Sequence, residues 1–257
     1  MKNFTVYALE GFPLIKPGDD VARTILDSAR KNGLMIEDGD VIVIAQKIVS
    51  KAERRVFKLE RVVPSARAEG LAEITGKDPR FIELILKETK RVIKVSCEVL
   101  VVEDIRGLIC INAGIDKSNV EGRTSFALLP KDPSASAEKC RSAIRRLAGR
   151  SVAVVVCDTY SRPFRRGQVN YAIGVAGLKL FRDYRGKRDL FGQVLRVKNV
   201  AVVDEIAAAA ELLMGQGAEK SPVVVFKGLG SEAGSCEECS IRELFISSKD
   251  DLFRDAL

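Results

Sequence analysis

The stretch CDTYSRPFRRGQVNYAIGVAG, residues 157–177, directly follows a continuous apolar run at residues 152–156. Such a run is typical of a buried strand, so the stretch begins where a strand ends. It opens with Asp158 and Thr159 and continues with basic residues and glycines: Arg162, Arg165, Arg166, Gly167, Gly174 and Gly177. A carboxylate at a strand end beside a glycine-punctuated basic loop suits a site for metal and phosphate oxygens. The competing interpretation is a solvated surface loop between a strand and a helix.

Two other segments place acids after apolar runs. Asp116, with Asn119 three residues further on, follows the run at 108–112, and Asp204–Glu205 follow the run at 200–203. Carboxylate, amide and hydroxyl oxygens suit magnesium or manganese, which carry nucleotide phosphates into reaction. Taken singly, each acid is better explained as a turn residue or a helix cap.

The rest of the chain mixes strands and helices without a regular β-α-β alternation. Residues 41–45 are apolar on both faces, which is typical of a central strand, and Lys47 and Lys51 follow it. Asp78–Pro79 and Asp132–Pro133 each combine an N-cap acid with proline at the first helical position. Further strands are predicted at 4–9, 91–103, 108–112, 200–203 and 223–226, and helices at 21–32, 64–75, 79–90, 133–148 and 206–214. This mixture predicts an α+β protein with mixed sheets.

Composition excludes several function classes. The 257 residues are 46% hydrophobic and 30% charged, which is ordinary for a globular enzyme. No apolar run approaches the ~20 residues of a membrane span, and the N-terminus is unlike a signal peptide, so we expect a cytoplasmic protein without a membrane partner. The net charge is +7, and residues 162–189 carry eight basic residues against two acids. Because few aromatics lie among them, a phosphate-rich small molecule is favoured over nucleic acid.

The chain contains no histidine, which removes Ser-His triads and His-liganded zinc. Catalysis must therefore use carboxylates, Lys, Arg, hydroxyls, backbone amides and a hard metal. No P-loop and no Rossmann fingerprint occurs. The six cysteines are expected to be buried thiols, and the C-x-x-C of Cys236 and Cys239 to be incidental, since no second pair completes a zinc site.

Six segments carry a specific resemblance. They are EGFPLI (10–15), IVSKAE (48–53), NAGIDKSN (112–119), CDTYSRPFRRGQVNYAIGVAG (157–177), RGKRDLFG (185–192) and VDEIAAAAELLMGQG (203–217). On these words the chain resembles the coenzyme F420-0:L-glutamate ligase family, the GTP-dependent γ-glutamyl ligases of F420 biosynthesis.

The resemblance implies an enzyme that uses GTP to add L-glutamate, by γ-linkage, to coenzyme F420-0 through an acyl phosphate. It implies two divalent cations, magnesium or manganese, and leaves room for a monovalent cation such as potassium. It also implies one family unit over residues 1–257 with two subdomains. The two-domain monomers would form an intertwined homodimer with the active site in the interface groove.

The resemblance also assigns site residues. The metal positions are Asp116, Asp158, Thr159 and Gln216. The nucleotide contacts are Phe12, Pro13, Leu14, Ile15, Gln46, Lys47, Lys51, Asn119, Met214, Gly215, Gln216 and Gly217. The predicted catalytic residues are Asp116, Asp158, Arg162, Arg165 and Arg166. The arginine roles are our own inference from charge and position: they could bind a phosphodiester, a carboxylate or the GTP phosphates through paired hydrogen bonds. Two positions depart from the family pattern: Arg54 stands where glycine is usual, and Gln216 where some relatives carry glutamate.

Two other functions stay open. One is a related amide ligase that adds an amino acid to another carboxylated cofactor. The other is a non-catalytic nucleotide- or RNA-binding protein that uses the basic surface of residues 162–188.

Overall fold

A computed structural model describes residues 3–229, 234–237, 239–247 and 249–251. Its helices are α1 Val21–Lys31, α2 Gln46–Ala52, α3 Ala66–Thr75, α4 Pro79–Lys87, α5 Pro133–Ala148 and α6 Val202–Met214. Its strands are β1 Thr5–Ala8, β2 Val41–Ala45, β3 Val56–Lys58, β4 Thr89–Ser96, β5 Val99–Asp104, β6 Ile109–Ile111, β7 Ser125–Ala127, β8 Ala153–Ser161, β9 Gln168–Ala176, β10 Phe181–Asp183, β11 Asn199–Ala201 and β12 Val223–Lys227. The mixed α+β class is confirmed.

The central sheet has the strand order β1-β12-β2-β8-β9. β2 and β8 are parallel, and the other neighbours are antiparallel. The apolar run at 41–45 is therefore a central strand, as predicted, with neighbours on both sides. Its register with β8 runs from Val41 opposite Ala153 to Ala45 opposite Cys157.

Helices cover each face of the central sheet. Side chains alternate along a strand, so an all-apolar strand presents apolar side chains to both faces, and both must be buried. Ile42 and Val154 lie in one core cluster with Ile25 of α1 and Ile144 of α5. The alternate strand residues, such as Val43 and Val155, pack in a second cluster against α6. Strands apolar on both faces require this layered arrangement.

Residues 56–127 form two small sheets, β3-β7 and β4-β5-β6, with α3 and α4. A buried ionic network links this region to the end of α2. Arg55 Nη2 lies 2.7 Å from Glu88 Oε2, which also pairs at 2.9 Å with Arg106 Nη1. Arg106 Nε in turn lies 2.7 Å from Asp104 Oδ2. Removing one partner would leave an uncompensated buried charge, so the network holds the chain just after α2 in a fixed position.

The prediction of a loop over residues 157–177 was wrong. β8 runs on through Ser161 and returns as β9, so most of the stretch is an antiparallel hairpin with Asp158 opposite Tyr171. The apolar run ended at residue 156 because polar residues begin there, but the backbone pairing continues. α6 likewise begins at Val202 rather than 206, and α4 ends at Lys87 because Thr89 begins β4.

The cysteines divide into three groups. Cys110, Cys140 and Cys157 are buried thiols, as predicted, whereas Cys97 is exposed in the turn between β4 and β5. The prediction that the C-x-x-C pair is incidental was wrong, because a disulfide joins Cys236 to Cys239.

Gly174 of β9 marks a close approach between the sheet and α5. A Cβ at this position would lie 2.3 Å from the carbonyl carbon of Pro133, the first residue of α5. We expect Gly174→Ala to lower the free energy of unfolding by about 1–3 kcal/mol, because a backbone atom cannot move aside as a side-chain tip can. The matched control is Gly70→Ala in α3, where a Cβ meets nothing within 4 Å. The control should stabilise by about 0.5–1 kcal/mol, and urea unfolding measures both. Equal stability of the two variants would contradict this packing.

Candidate active site

The carboxyl ends of β2 and β8 create the site. Because these strands are parallel and Ala45 lies opposite Cys157, the residues that follow each strand emerge at the same edge. Gln46 and Lys47 begin α2 there, and Asp158 and Thr159 continue β8. Ligands of α/β sheets commonly bind at this edge.

An open cavity lies at this edge and draws on five distant parts of the chain. All the predicted nucleotide contacts line it: Phe12, Pro13, Leu14, Ile15, Gln46, Lys47, Lys51, Asn119, Met214, Gly215, Gln216 and Gly217. Asp158 and Thr159 line it as well. The structure therefore brings the segments together, while the ligand that they hold stays a prediction.

Asp116 reaches the site through Lys47. Lys47 Nζ lies 2.6 Å from Asp116 Oδ2. Ser118 supports the carboxylate, since its backbone N–H and its hydroxyl donate to Asp116 at 2.7 Å and 2.8 Å. Burial raises the pKa of Asp116, but the hydrogen bond and charge of Lys47, together with the Ser118 donors, outweigh burial and lower it. Asp116 is therefore ionised, with an ammonium group bound to it.

Asp158 has the opposite balance. Desolvation raises the pKa of its carboxyl to about 7, against the combined pull of the Thr159 backbone, Lys47 and Gln46. The negative charge of Asp116 raises it further. A nearby cation would stabilise the ionised form of a carboxylate that is desolvated in this way.

Thr159 and Gln216 form the other wall. Gln216 Nε2 donates to Thr159 Oγ1 at 2.9 Å, and Thr159 Oγ1 donates to Asn170 Oδ1 at 3.1 Å. Gln216 Nε2 also donates to Glu211 at the end of α6. Glu211 and Asn170 were missed by sequence reasoning. Their only signal is position: Glu211 lies five residues before Gln216, and Asn170 pairs with Thr159 across the hairpin.

Lys51 and Asn119 close the cavity on a third side. Lys51 Nζ donates to the Asn119 carbonyl at 2.7 Å, and Asn119 Nδ2 donates to the Gly217 carbonyl at 3.0 Å. Burial and the charge of Lys47 lower the pKa of Lys51. Arg54, where the family usually has glycine, has φ of 61°, which is the left-handed conformation that glycine adopts without strain. The turn thus forms with arginine, and Lys51 still reaches Asn119.

The donor set fits a hard divalent cation. Two carboxylates, Asp116 and Asp158, stand with the neutral oxygens of Thr159 and Gln216, and magnesium and manganese accept such oxygens together with water. The ammonium of Lys47 already stands as a cation on Asp116. Over the part of the chain that the structure describes, no group of three or more His, Cys, Asp or Glu side chains forms a cation site. Any metal held here would therefore keep waters or substrate oxygens among its ligands.

The three arginines lie beyond the cavity, not among its lining residues. They occupy the turn of the β8–β9 hairpin, where Arg162 Nη2 donates to the Arg166 carbonyl at 3.4 Å. Arg165 and Arg166 are exposed. They are free to meet a large substrate that projects out of the cavity.

Asp204 and Glu205 do not join the site. Both lie in the first turn of α6, and Asp204 Oδ1 accepts a hydrogen bond of 3.0 Å from the Ala172 backbone. The alternative explanation as a turn residue or helix cap does not hold for Asp204 either, because no side chain caps α6 and Asp204 instead binds the backbone of β9.

Comparison with known proteins reveals close relatives. The family model described as F420-0:Gamma-glutamyl ligase matches residues 11–228. The chain is 46% identical over 224 residues, 87% of this chain and 88% of the other, to the coenzyme F420:L-glutamate ligase of Methanothermobacter thermautotrophicus. It is 44% identical over 252 residues, 98% and 97% of the two chains, to the protein of that name from Archaeoglobus fulgidus. The corresponding protein of Methanopyrus kandleri is 42% identical over 250 residues, 96% and 97%. Among the described residues, no helix is long and apolar enough to cross a membrane.

The raised pKa of Asp158 predicts a pH-dependent stability. The folded protein holds this proton to about pH 7, whereas the unfolded chain releases it near 3.8. Ionisation therefore destabilises the fold, fully above about pH 7 and not at all below about pH 4. We expect Asp158→Asn to raise the Tm of the metal-free protein at about pH 8 but not at about pH 4, as measured by calorimetry. Asp183→Asn is the control, since Arg185 holds the pKa of that exposed carboxyl at about 2. A Tm gain of the same size at both pH values would contradict the account.

Proposed function

Because the chain belongs to the F420-0:gamma-glutamyl ligase family, we propose that it adds L-glutamate to coenzyme F420-0 at the cavity between β2 and β8. The observation that carries the proposal is that the family match spans residues 11–228, and all the cavity-lining segments fall within it. The relatives that share the chain's length are ligases by name. We propose further that GTP supplies the energy, that the first glutamate is joined through its amine to the carboxylate of F420-0, and that each later glutamate is joined to the γ-carboxylate of the glutamate already added.

The chemistry requires activation of a carboxylate. The carboxylate of F420-0 is a poor acyl donor. Its oxygen therefore first attacks the terminal phosphorus of GTP, which gives an acyl phosphate and GDP. The amine of glutamate then attacks the acyl carbon, an amide bond forms, phosphate leaves with the bonding electrons, and an ionised carboxylate accepts the proton that the amine loses. Such a phosphoryl transfer depends chiefly on positioning and charge stabilisation, so it needs no histidine.

The chain's own residues supply both requirements. Lys47 and Lys51 place two positive side chains in the cavity, where they would neutralise phosphate oxygens. Asp116, Asp158, Thr159 and Gln216 would hold divalent cations, which when bound would neutralise charge on the phosphoryl oxygens. Lys47 has a double role in this proposal. Its ammonium pairs with Asp116 in the free protein, and it would be available to neutralise phosphate oxygens if Asp116 instead held a divalent cation.

The basic hairpin turn would bind the acceptor. F420-0 carries a phosphodiester and a carboxylate, and planar guanidinium groups bind such anions in pairs of hydrogen bonds. Arg165 and Arg166 are exposed in the turn of the hairpin whose strand β8 carries Asp158 and Thr159, and they have the required charge. Arg162, partly buried at the base of the turn, would fix its shape.

We also propose that the chain works as a homodimer of two-lobed subunits in the cytoplasm. Support comes from the arm formed by β10, β11 and the loop between them. Its side chains Leu190, Phe191 and Val197 are 98%, 89% and 89% exposed, respectively. Large apolar side chains so fully in water are suited to contact with a second copy.

The direct test is product analysis. Incubated with F420-0, GTP, manganese and L-glutamate, the protein should yield F420-0 carrying added glutamyl units, detected by mass spectrometry, with release of phosphate. Asp158→Asn should lower the turnover by at least ~100-fold, because the phosphoryl-transfer site loses a carboxylate that would bind the divalent cation.

Three outcomes would contradict this proposal. Glutamylation of only a folate-type acceptor would favour the related amide ligase. Salt-sensitive RNA binding without GTP turnover would favour the nucleic-acid-binding protein. Full activity of Asp158→Asn would place the metal elsewhere.

The arginine assignment has its own test in steady-state kinetics. We expect Arg165→Ala or Arg166→Ala to raise KM for F420-0 about tenfold, since a charged hydrogen bond contributes about 1.5 kcal/mol, while KM for GTP changes little. The control is Arg61→Ala, because Arg61 is an exposed arginine that follows β3 and lies outside the hairpin. A rise in KM for GTP instead of F420-0 would assign these arginines to the nucleotide.

A further inference from the structure

Thr159 has a hydrogen-bonding pattern that leaves one lone pair unused. A hydroxyl has one hydrogen and two acceptor positions. The hydrogen goes to Asn170 Oδ1 at 3.1 Å, and one acceptor position receives Gln216 Nε2 at 2.9 Å. The remaining lone pair is what a hydroxyl offers to a cation, and the O–H must point away from the cation for this to occur.

Asn170 receives that hydrogen. Its side chain is buried, with 4% of its surface exposed, and it lies directly opposite Thr159 in the hairpin. Its other end is also engaged, because Nδ2 donates to Cys157 Sγ at 3.5 Å. The amide therefore presents its oxygen to Thr159, and burial within the sheet keeps it there.

Glu211 sets the direction at the other end. A carboxylate can only accept hydrogen bonds, so the Gln216 amide must turn its nitrogen towards Glu211. The two hydrogens of that nitrogen are then used by Glu211 and Thr159, and Gln216 Oε1 is the oxygen left available. Were the amide reversed, its NH₂ group would face the cation and repel it.

The placement of Glu211 is unfavourable for the helix itself. It lies in the last turn of α6, whose terminus carries no basic residue, and a negative charge there opposes the helix dipole. A carboxylate that weakens its own helix and faces Gln216 is explained by what it does to that amide.

We propose that Glu211 and Asn170 are positioning residues: they set the direction of the chain Glu211–Gln216–Thr159–Asn170 so that Thr159 Oγ1 and Gln216 Oε1 both present lone pairs to a divalent cation. The proposal rests on the proposed function, because it takes these two oxygens as metal donors. It also explains how a neutral glutamine serves where some relatives would carry glutamate: Glu211 orients the amide so that Gln216 Oε1 is left for the cation.

The experiment measures manganese affinity rather than turnover. Free Mn²⁺ is titrated by electron paramagnetic resonance in the presence of GDP, for the wild type and for Glu211→Met, Glu211→Gln and Glu205→Met. We expect Glu211→Met to bind Mn²⁺ about 10- to 100-fold more weakly, as is usual when a partner behind a metal ligand is removed. Glu211→Gln should stay close to wild type, because its amide oxygen accepts the same hydrogen bond. Glu205→Met, which removes an exposed acid of the same helix, should change nothing.

The outcomes separate this inference from the function beneath it. Wild-type affinity in Glu211→Met, or equal losses in Glu211→Met and Glu211→Gln, would overturn the inference while the metal site stands. An equal loss in Glu205→Met would reduce the effect to general charge and overturn it as well. A wild type without saturable Mn²⁺ binding would overturn the metal site itself. Should Glu211→Met fail to fold, Glu211→Asp replaces it with the same expected weakening, because the shorter side chain withdraws the carboxylate from Gln216.

Discussion

The parallel pairing of β2 with β8 is the constraint on which the site depends. It is the one parallel neighbour pair in the five-stranded central sheet, and it makes two strands end at the same edge. Lys47 and Asp158 lie 111 positions apart in the sequence, yet they become neighbours because Ala45 stands opposite Cys157. An antiparallel pair would have sent these two side chains to opposite edges of the sheet.

The second consequence of that pairing is electrostatic. Two carboxylates and two ammonium groups share a poorly solvated edge, and burial and neighbouring charges shift the pKa values of Asp116, Asp158 and Lys51. Lys47 lowers the pKa of Asp116, while Asp158 is left so short of compensation that its pKa rises to about 7. Burying charges in this manner costs stability unless a ligand supplies the missing partner. In the free protein the Lys47 ammonium therefore neutralises Asp116. A bound metal would neutralise the carboxylates, and a bound phosphate would neutralise the lysines.

Much of the frame was predictable from local sequence, and the site only in part. The apolar run at 41–45 and the Asp–Pro helix starts at 78 and 132 depend on nearby residues, so they were read correctly. The β8–β9 hairpin was missed because its polar half pairs through the backbone, which side-chain polarity does not report. The cavity segments were predicted from the words of the family rather than from periodicity. Glu211 and Asn170 escaped both approaches, since their role depends on hydrogen-bond direction, which exists only once the fold has brought four side chains together.

The central proposal is that Asp116 and Asp158 would hold a divalent cation where the Lys47 ammonium now pairs with Asp116. The most direct measurement is anomalous diffraction from crystals grown with manganese and a non-hydrolysable GTP analogue. The account predicts an anomalous peak bonded to oxygens of both carboxylates, with Lys47 Nζ moved from Asp116 to the phosphates. A manganese peak elsewhere in the cavity, with Lys47 still paired to Asp116, would contradict it.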